Sequence, residues 1–266
     1  MGNIVPIVEA PLFSIIIPTF CRPNLLKWCL CSLAKQLNIQ QCEIFVLNDG
    51  IQDDTEKICE SFSDKLCIKY VFTGSRNTEY DLKWRVPGFA LNIGIKLAAS
   101  ENIIICSSDM FLIEPEFILK YYHTLCKNKM YLVHSLGAGD DTKEYTQLVE
   151  QMDGDIFAVE AVYDKIHSNC KLNTKLPFFL GVKKEHLMAI GGYDEDFVGV
   201  AYDDNDLIDR LLAYGCEHFL CSGCNLVHLY HKRKQYLNKQ KCLLNLRLFK
   251  SRASKIKRNE GREWGV

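Results

Sequence analysis

Carboxylates crowd one short part of this 266-residue chain. Asp194, Glu195 and Asp196 follow a Gly191-Gly192 pair, and Asp203, Asp204 and Asp206 open a stretch whose Leu207, Leu211 and Leu212 have helical spacing. Like charges at that density repel unless a cation, a proton donor or a helix N-terminus relieves them, so the strip is a candidate site for proton chemistry. Part of it has a structural explanation: Asp203 as an N-cap with Asp206 closing a capping box, and Asp206 with Arg210 as an i,i+4 surface ion pair worth about 0.3 kcal/mol. None of these uses employs Asp204. At a helix start the dipole keeps its carboxylate ionised and able to take a proton.

A second set of candidates follows apolar runs. Thr19 comes after Phe13–Pro18, Asn48-Asp49-Gly50 after Glu43–Leu47, and Ser107-Ser108-Asp109 after Ile103–Cys106. By itself Asn48-Asp49-Gly50 reads equally as a turn and helix cap. Cys221-Ser222-Gly223-Cys224 with His228 and His231 has the residue types of a four-ligand zinc site. Only three residues separate Cys224 from His228, however, where zinc fingers place a long loop; the alternative is a strand over Asn225–Leu229 that delivers one histidine to a pocket metal. No G-x-G-x-x-G follows the first strand and no G-x-x-x-x-G-K-[ST] occurs. A diphosphate would then be held through a divalent cation, with Asp109 and a C-terminal histidine as its ligands.

The elements that position these residues read as β-α-β-α. Strands are expected over 13–18, 43–47, 67–72 and 103–106, alternating with helices over 24–37, 53–62 and 89–99. Strands apolar throughout, separated by amphipathic helices, indicate a parallel sheet covered on both faces. In open α/β sheets ligands bind beyond the carboxyl ends of the strands, so the three polar segments are expected to converge. Further on, helices are expected over 116–127 and 184–190 and strands over 131–134 and 178–182. Residues 137–173 read as a polar, loop-rich insertion with few signals.

Composition sets the class. With 48% hydrophobic and 24% charged residues the chain can bury an ordinary globular core, and a net charge of -1 provides no global field toward nucleic acid. The 13 cysteines are scattered and odd in number, the pattern of reduced core thiols. The N-terminus lacks the basic segment of a secretory signal, which points to a cytoplasmic protein. Met1-Gly2 opens like a myristoylation signal, but Pro6 stands where Ser or Thr is required. No apolar run approaches the roughly 18 to 20 residues that cross a bilayer. Without a linker or repeat, residues 1–231 read as one domain and 232–266 as a basic amphipathic tail. That tail either packs its leucines on the domain with a solvated basic face, or makes peripheral contact with anionic lipid or an acidic partner.

In this order, Ser14-Ile15-Ile16-Ile17-Pro18-Thr19-Phe20-Cys21-Arg22, Val46-Leu47-Asn48-Asp49-Gly50 and Ile105-Cys106-Ser107-Ser108-Asp109-Met110 resemble family 2 glycosyltransferases of the GT-A fold. That fold is α/β, with a Rossmann-like, mostly parallel sheet and helices on both faces. Gly191 to Leu211 is similar to the C-terminal motif shared by galactosyltransferases and N-acetylgalactosaminyltransferases. The resemblance covers most of the chain apart from 137–173 and the tail. It implies inverting transfer of a sugar from a nucleotide-sugar, usually a UDP-sugar, to a hydroxyl of a glycan, glycolipid or glycoprotein. Asp204, the second acid of the family's E-D pair, would be the general base.

The same resemblance places Pro18, Thr19, Phe20 and Arg22 along the nucleotide, Asp49 at its base, and Arg85 and Asn92 on the donor side. Asp109, the last acid of the D-x-D motif, and His228 would hold Mn2+ or Mg2+, with His231 in reserve. Gly192, Tyr193, Tyr202 and Asp203 fall on the sugar side. Two positions depart from the pattern. Ser107, counted with the donor-binding set, replaces the first acid of D-x-D and leaves a less negative metal site. Val200 stands where related transferases have a tryptophan, so stacking on the acceptor falls to Tyr202 or Tyr193. Two other classes compete: a nucleotide-sugar-binding protein without turnover, and a sugar nucleotidyltransferase, whose glycine-rich basic loop residues 14–22 lack.

Overall fold

A computed structural model of the chain describes residues 10–76, 85–155, 163, 172, 175–232 and 239–266. Its first half alternates β1 (Ser14–Thr19), α1 (Pro23–Ala34), β2 (Glu43–Asn48), α2 (Thr55–Ser61), β3 (Ile68–Phe72), α3 (Gly88–Leu97) and β4 (Asn102–Cys106). β1 pairs in parallel with both β2 and β4, and β2 with β3. Period-2 alternation sends neighbouring residues to opposite faces. Ile15, Ile17, Ile44, Val46 and Ile104 join one core with Leu26 and Leu30 of α1. Ile16, Phe45, Leu47, Ile103 and Ile105 join a second core with Leu91 and Ile95 of α3. Burial on both faces is why these strands are apolar throughout. Gly94 lets α3 sit close to the sheet, since a Cβ there would lie 2.4 Å from the Ile16 side chain.

The second half is β5 (Met110–Leu112), α4 (Phe117–Lys127), β6 (Tyr131–Gly139), α5 (Glu144–Gln151), β7 (Phe179–Lys183), α6 (Lys184–Ala189), α7 (Asp203–Tyr214), β8 (Glu217–His228) and α8 (Lys239–Arg252). The described strands form one sheet in the order β3-β2-β1-β4-β7-β6-β8-β5. β7 runs antiparallel to β4 and β6, and β5 antiparallel to β8, while β6 and β8 are parallel. The parallel architecture expected from the sequence therefore holds for the N-terminal strands and becomes mixed beyond β4.

Two expectations are corrected here. Residues 137–173 are not loop throughout: β6 continues to Gly139, and α5 buries Tyr145 and Val149. The strand expected over 225–229 begins eight residues earlier, at Glu217. Among the described cysteines all are free and most are buried, as reduced core thiols would be. No described helix is long and apolar enough to cross a membrane.

Candidate active site

The link from β4 to β5 carries Ser107 and Asp109. Antiparallel pairing of β5 with β8 sets Met110 opposite His228, and the Leu229 amide donates to the Asp109 carbonyl at 2.9 Å. Two distant segments are thus locked side by side. Asp109 Oδ2 accepts from Arg22 Nη1 at 2.6 Å, with His231 Nε2 at 3.2 Å and His228 Nε2 at 3.6 Å. Burial would raise the Asp109 carboxyl, but His228, His231 and Arg22 together outweigh it and hold it well below the usual carboxylate range. Its Oδ1 is buried without a hydrogen-bond partner.

Asp109, His228 and His231 each offer a ligand atom, and these atoms lie within 4.8 Å of one another. One carboxylate and two imidazoles, with an unused buried oxygen, are a donor set that fits a divalent cation. Both histidines belong to it, so His231 is more than a reserve. Ser107 stands two residues away, and its backbone amide is tied to the Phe178 carbonyl at 2.8 Å.

At the ends of β1 and β2, the Asp49 amide donates to the Thr19 carbonyl at 2.9 Å. Asp49 is buried among cations: Arg76 Nη2 lies 3.0 Å from Oδ2 and Arg85 Nη1 3.7 Å from Oδ1, with Thr73 donating at 3.0 Å. The Arg85 guanidinium faces the Phe20 ring at 5.4 Å, and that of Arg76 the Phe89 ring at 4.1 Å. Arg85 Nε and Nη1 and Thr19 Oγ1 are buried without hydrogen-bond partners. A pocket with unsatisfied cationic donors and an aromatic wall suits an anionic, flat ligand. Arg76 was not among the sequence candidates. Its only signal is its place in the loop after β3.

The acidic strip divides in two. Asp194 accepts from Arg252 at 2.5 Å and lies 3.0 Å from Arg258; Asp206 accepts from Arg258 at 2.5 Å and Arg210 at 2.7 Å; Asp196 pairs with Arg252 and Arg262, each at 2.6 Å. Three arginines of the tail therefore neutralise acids some fifty to seventy positions earlier. The basic face expected to be solvated points inward at these residues, while Leu243 and Leu244 of α8 are 58% and 50% exposed. The Asp206–Arg210 pair, expected at the surface, is buried.

Asp203 is not an N-cap. That position is Tyr202, at φ 72, with no side-chain cap, and Asp203 is the first residue of α7. Asn245 of α8 donates to the Val200 and Ala201 carbonyls at 3.0 and 3.1 Å, steadying this left-handed turn. Asp203 is 4% exposed, and its Oδ2 has no partner. Burial, and then repulsion from Asp204, push its carboxyl well up. Asp204 is half-buried and accepts from the Tyr193 hydroxyl at 3.3 Å. Burial raises it to about 6, against the lowering effect of that hydrogen bond.

The structure refines four sugar-side or donor-side expectations. Tyr193 is 0% exposed, so its ring cannot stack on an acceptor; its hydroxyl orients Asp204 instead. Asn92 is also fully buried. Its Nδ2 donates to the Tyr193 carbonyl and Glu195 Oε1, and its Oδ1 accepts from the Tyr193 amide, so it braces the turn rather than facing the donor. Tyr202 stacks one ring face on Phe249 at 5.8 Å. Gly192, at φ 65, has no room for a Cβ, which would lie 2.4 Å from Asn92 and 2.6 Å from Trp264. It is a packing position.

Contacts and short stretches of chain link these clusters. Asp109 holds Arg22, two residues from Phe20; Phe20 faces Arg85, which reaches Asp49. Arg85 leads into α3, whose Gly88 lies so close to Tyr193 that a Cβ would come within 2.9 Å of the tyrosine Cβ. Tyr193 then holds Asp204. Pro18 enters this rim as a β1 residue paired with Leu47.

An α/β sheet of this order with a carboxylate–imidazole cluster at its rim is the architecture of a GT-A glycosyltransferase. The sequence pattern of glycosyl transferase family 2 matches residues 14–182, and the chain belongs to that family. Validoxylamine A glucosyltransferase of Streptomyces hygroscopicus subsp. jinggangensis is 27% identical over 266 aligned residues, covering 89% of this chain and 60% of that protein. Chondroitin synthase of Escherichia coli is 27% identical over 81% of this chain and 34% of its own length. The chain thus spans about three fifths or less of these relatives. Among solved structures, the mannosyltransferase PcManGT from Pyrobaculum calidifontis, in complex with GDP-Man and Mn2+, superposes with a TM-score of 0.60 at 17% identity, over 92% of this chain and 64% of that one. S. aureus TarS 1-349 in complex with UDP-GlcNAc gives 0.59 at 16% identity, over 89% and 65%.

Proposed function

We propose that the chain is an inverting glycosyltransferase that moves a sugar from a nucleotide-sugar, in the first instance a UDP-sugar, to a hydroxyl of a glycan, glycolipid or glycoprotein. The observation that carries this reading is Asp204: a carboxylate with no cationic partner among the described residues, oriented by Tyr193 and joined through contacts and short stretches of chain to Asp109, His228 and His231. In this reading Thr19, Phe20, Arg22, Arg76 and Arg85 hold the nucleotide and its phosphates, and Asp49 sets the two arginines. Asp204 takes the proton from the acceptor hydroxyl as that oxygen attacks the anomeric carbon and the nucleoside diphosphate leaves from the opposite face. Asp203, Tyr202 and Ser107 line the sugar and donor sides. Asp109, His228 and His231 would hold Mn2+ or Mg2+, which supplies charge neutralisation on the leaving diphosphate. The names of the relatives and the ligands of the structural neighbours support the donor class and the cation.

Residues 1–231 carry the transferase site in this proposal, and the tail closes it. The exposed Leu243 and Leu244, beside exposed Arg247 and Lys250, favour peripheral contact with anionic lipid from the cytoplasmic side. The test is isothermal titration of UDP with and without Mn2+, followed by donor turnover over a panel of UDP-sugars and acceptors. Mn2+-dependent UDP binding with release of sugar is expected, and His228→Ala with His231→Ala should remove the Mn2+ dependence. UDP binding with no turnover on any donor would favour the binding-protein alternative. No UDP binding at all would overturn the reading.

A further inference from the structure

The Cys221-Ser222-Gly223-Cys224 segment has no part in the site above. β8 pairs with β6 up to His134↔Leu220 and again from Leu136↔Asn225, so residues 221–224 bulge out opposite Ser135 alone. Gly223 turns the excursion at φ 69, and Lys120 Nζ donates to its carbonyl at 3.0 Å. Ser222 and Gly223 are exposed at the tip, while the two thiols fold beneath them, 4% and 0% exposed, with sulfurs 3.3 Å apart. The histidines of the four-ligand zinc reading, His228 and His231, are gathered at Asp109 instead.

The surroundings favour thiolate at one sulfur. The Cys224 thiol donates to Cys221 Sγ, and this outweighs burial to bring Cys221 down to about 7; Thr124, 3.6 Å away, and the charges of Lys120 and Lys127 act in the same direction. Burial instead pushes Cys42 and Cys59 up to about 12. A thiolate is the nucleophilic form, and a neighbouring thiol in contact is the resolving partner.

We propose that Cys221 and Cys224 form a dithiol modification site that hydrogen peroxide converts to an intramolecular disulfide. The Cys221 thiolate attacks an oxygen of hydrogen peroxide, the O–O bond breaks, and sulfenic acid forms as hydroxide leaves and takes up the proton that Cys221 gave up on ionising, giving water. Cys224 Sγ then attacks the Cys221 sulfur, the S–O bond breaks, and a second water leaves with the Cys224 proton. Two thiols and one hydrogen peroxide give one disulfide and two waters. The excursion supplies the freedom for the sulfurs to close, since Gly223 has no side chain to resist the turn. This inference stands independently of the sugar-transfer reading.

The experiment treats the reduced, full-length protein with graded hydrogen peroxide, quenches it in denaturant with an alkylating agent, and maps the peptides by mass. The peptide bearing Cys221 and Cys224 is expected to lose two hydrogens and escape alkylation at least about tenfold faster than Cys42 or Cys59 is oxidised. Dithiothreitol should restore both thiols. In Cys224→Ser the reaction should stop at a sulfenic acid on Cys221, trapped by dimedone. The wild-type map decides the matter if that variant does not fold. Full alkylation of both thiols after peroxide, or overoxidation of Cys221 beside a free Cys224, would overturn the proposal.

Discussion

Asp194, Asp196 and Asp206 stand between guanidinium groups, whereas Asp203 and Asp204, in the same strip, pair with no arginine or lysine among the described residues. The side chain is the same and the consequences are opposite. Arg252 and Arg262 outweigh burial at Asp196 and hold its carboxyl low, while burial without a cation brings Asp204 to about 6. The tail thus takes up the charge that packing must neutralise and leaves Asp203 and Asp204 with raised carboxyls, Asp204 able to exchange a proton near pH 6.

The largest test of this contrast is Asp204→Asn. Turnover should fall about 10²- to 10⁴-fold while UDP binding by calorimetry is unchanged; a variant with wild-type turnover removes Asp204 from the chemistry. On the paired side, Arg258→Met leaves Asp194 and Asp206 short of a buried partner. Urea unfolding should show a loss of about 3–5 kcal/mol. Arg262→Met, whose partner Asp196 is 38% exposed, should cost no more than about 1 kcal/mol. Equal losses for the two arginines would erase the distinction between buried and surface pairs.

Smaller effects sharpen the comparison. Tyr193→Phe deletes the hydrogen bond that lowers the Asp204 carboxyl, so the acid limb of the pH–rate profile, expected near 6 in the wild type, should move up. The equivalent of one net hydrogen bond is about half to one pH unit. Asp203→Asn should stabilise the fold. Because burial raises the Asp203 carboxyl, the folded state binds that proton more tightly than the unfolded chain does. Wild-type stability from this group is greatest below the unfolded carboxyl's pKa and is lost as pH rises through the folded one. The melting-temperature gain of the amide should therefore grow as pH rises; a gain that shrank with rising pH would contradict the assignment.

Much of the scaffold was legible from local pattern. β1, β2 and β4 are continuous apolar runs, and burial on both faces leaves no other reading for them. α5 was missed because its N-cap, Lys143, is left-handed and offers no capping side chain, and the extension of β6 beyond His134 because its Gly137-Ala138-Gly139 end lacks the branched residues of a strand. Of the site, Asp109 and His228 could be found from strand ends and the family resemblance. Tyr193 and Asn92 were found as positions but not as roles, since whether a ring or an amide faces a ligand depends on burial.

Local chemistry along the chain determined the alternating elements, the family, the convergence of Asp49 and Asp109 on one rim, and the excess of acid between Gly191 and Leu211. Short-range periodicity and residue type carry that information. Tertiary structure decided which acids Arg252, Arg258 and Arg262 would neutralise, that His231 joins His228 at Asp109, and that two thiols meet beneath Gly223. Each of those outcomes depends on side chains brought within a few ångströms by folding from distant segments, and on the burial that results, neither of which spacing along the chain encodes.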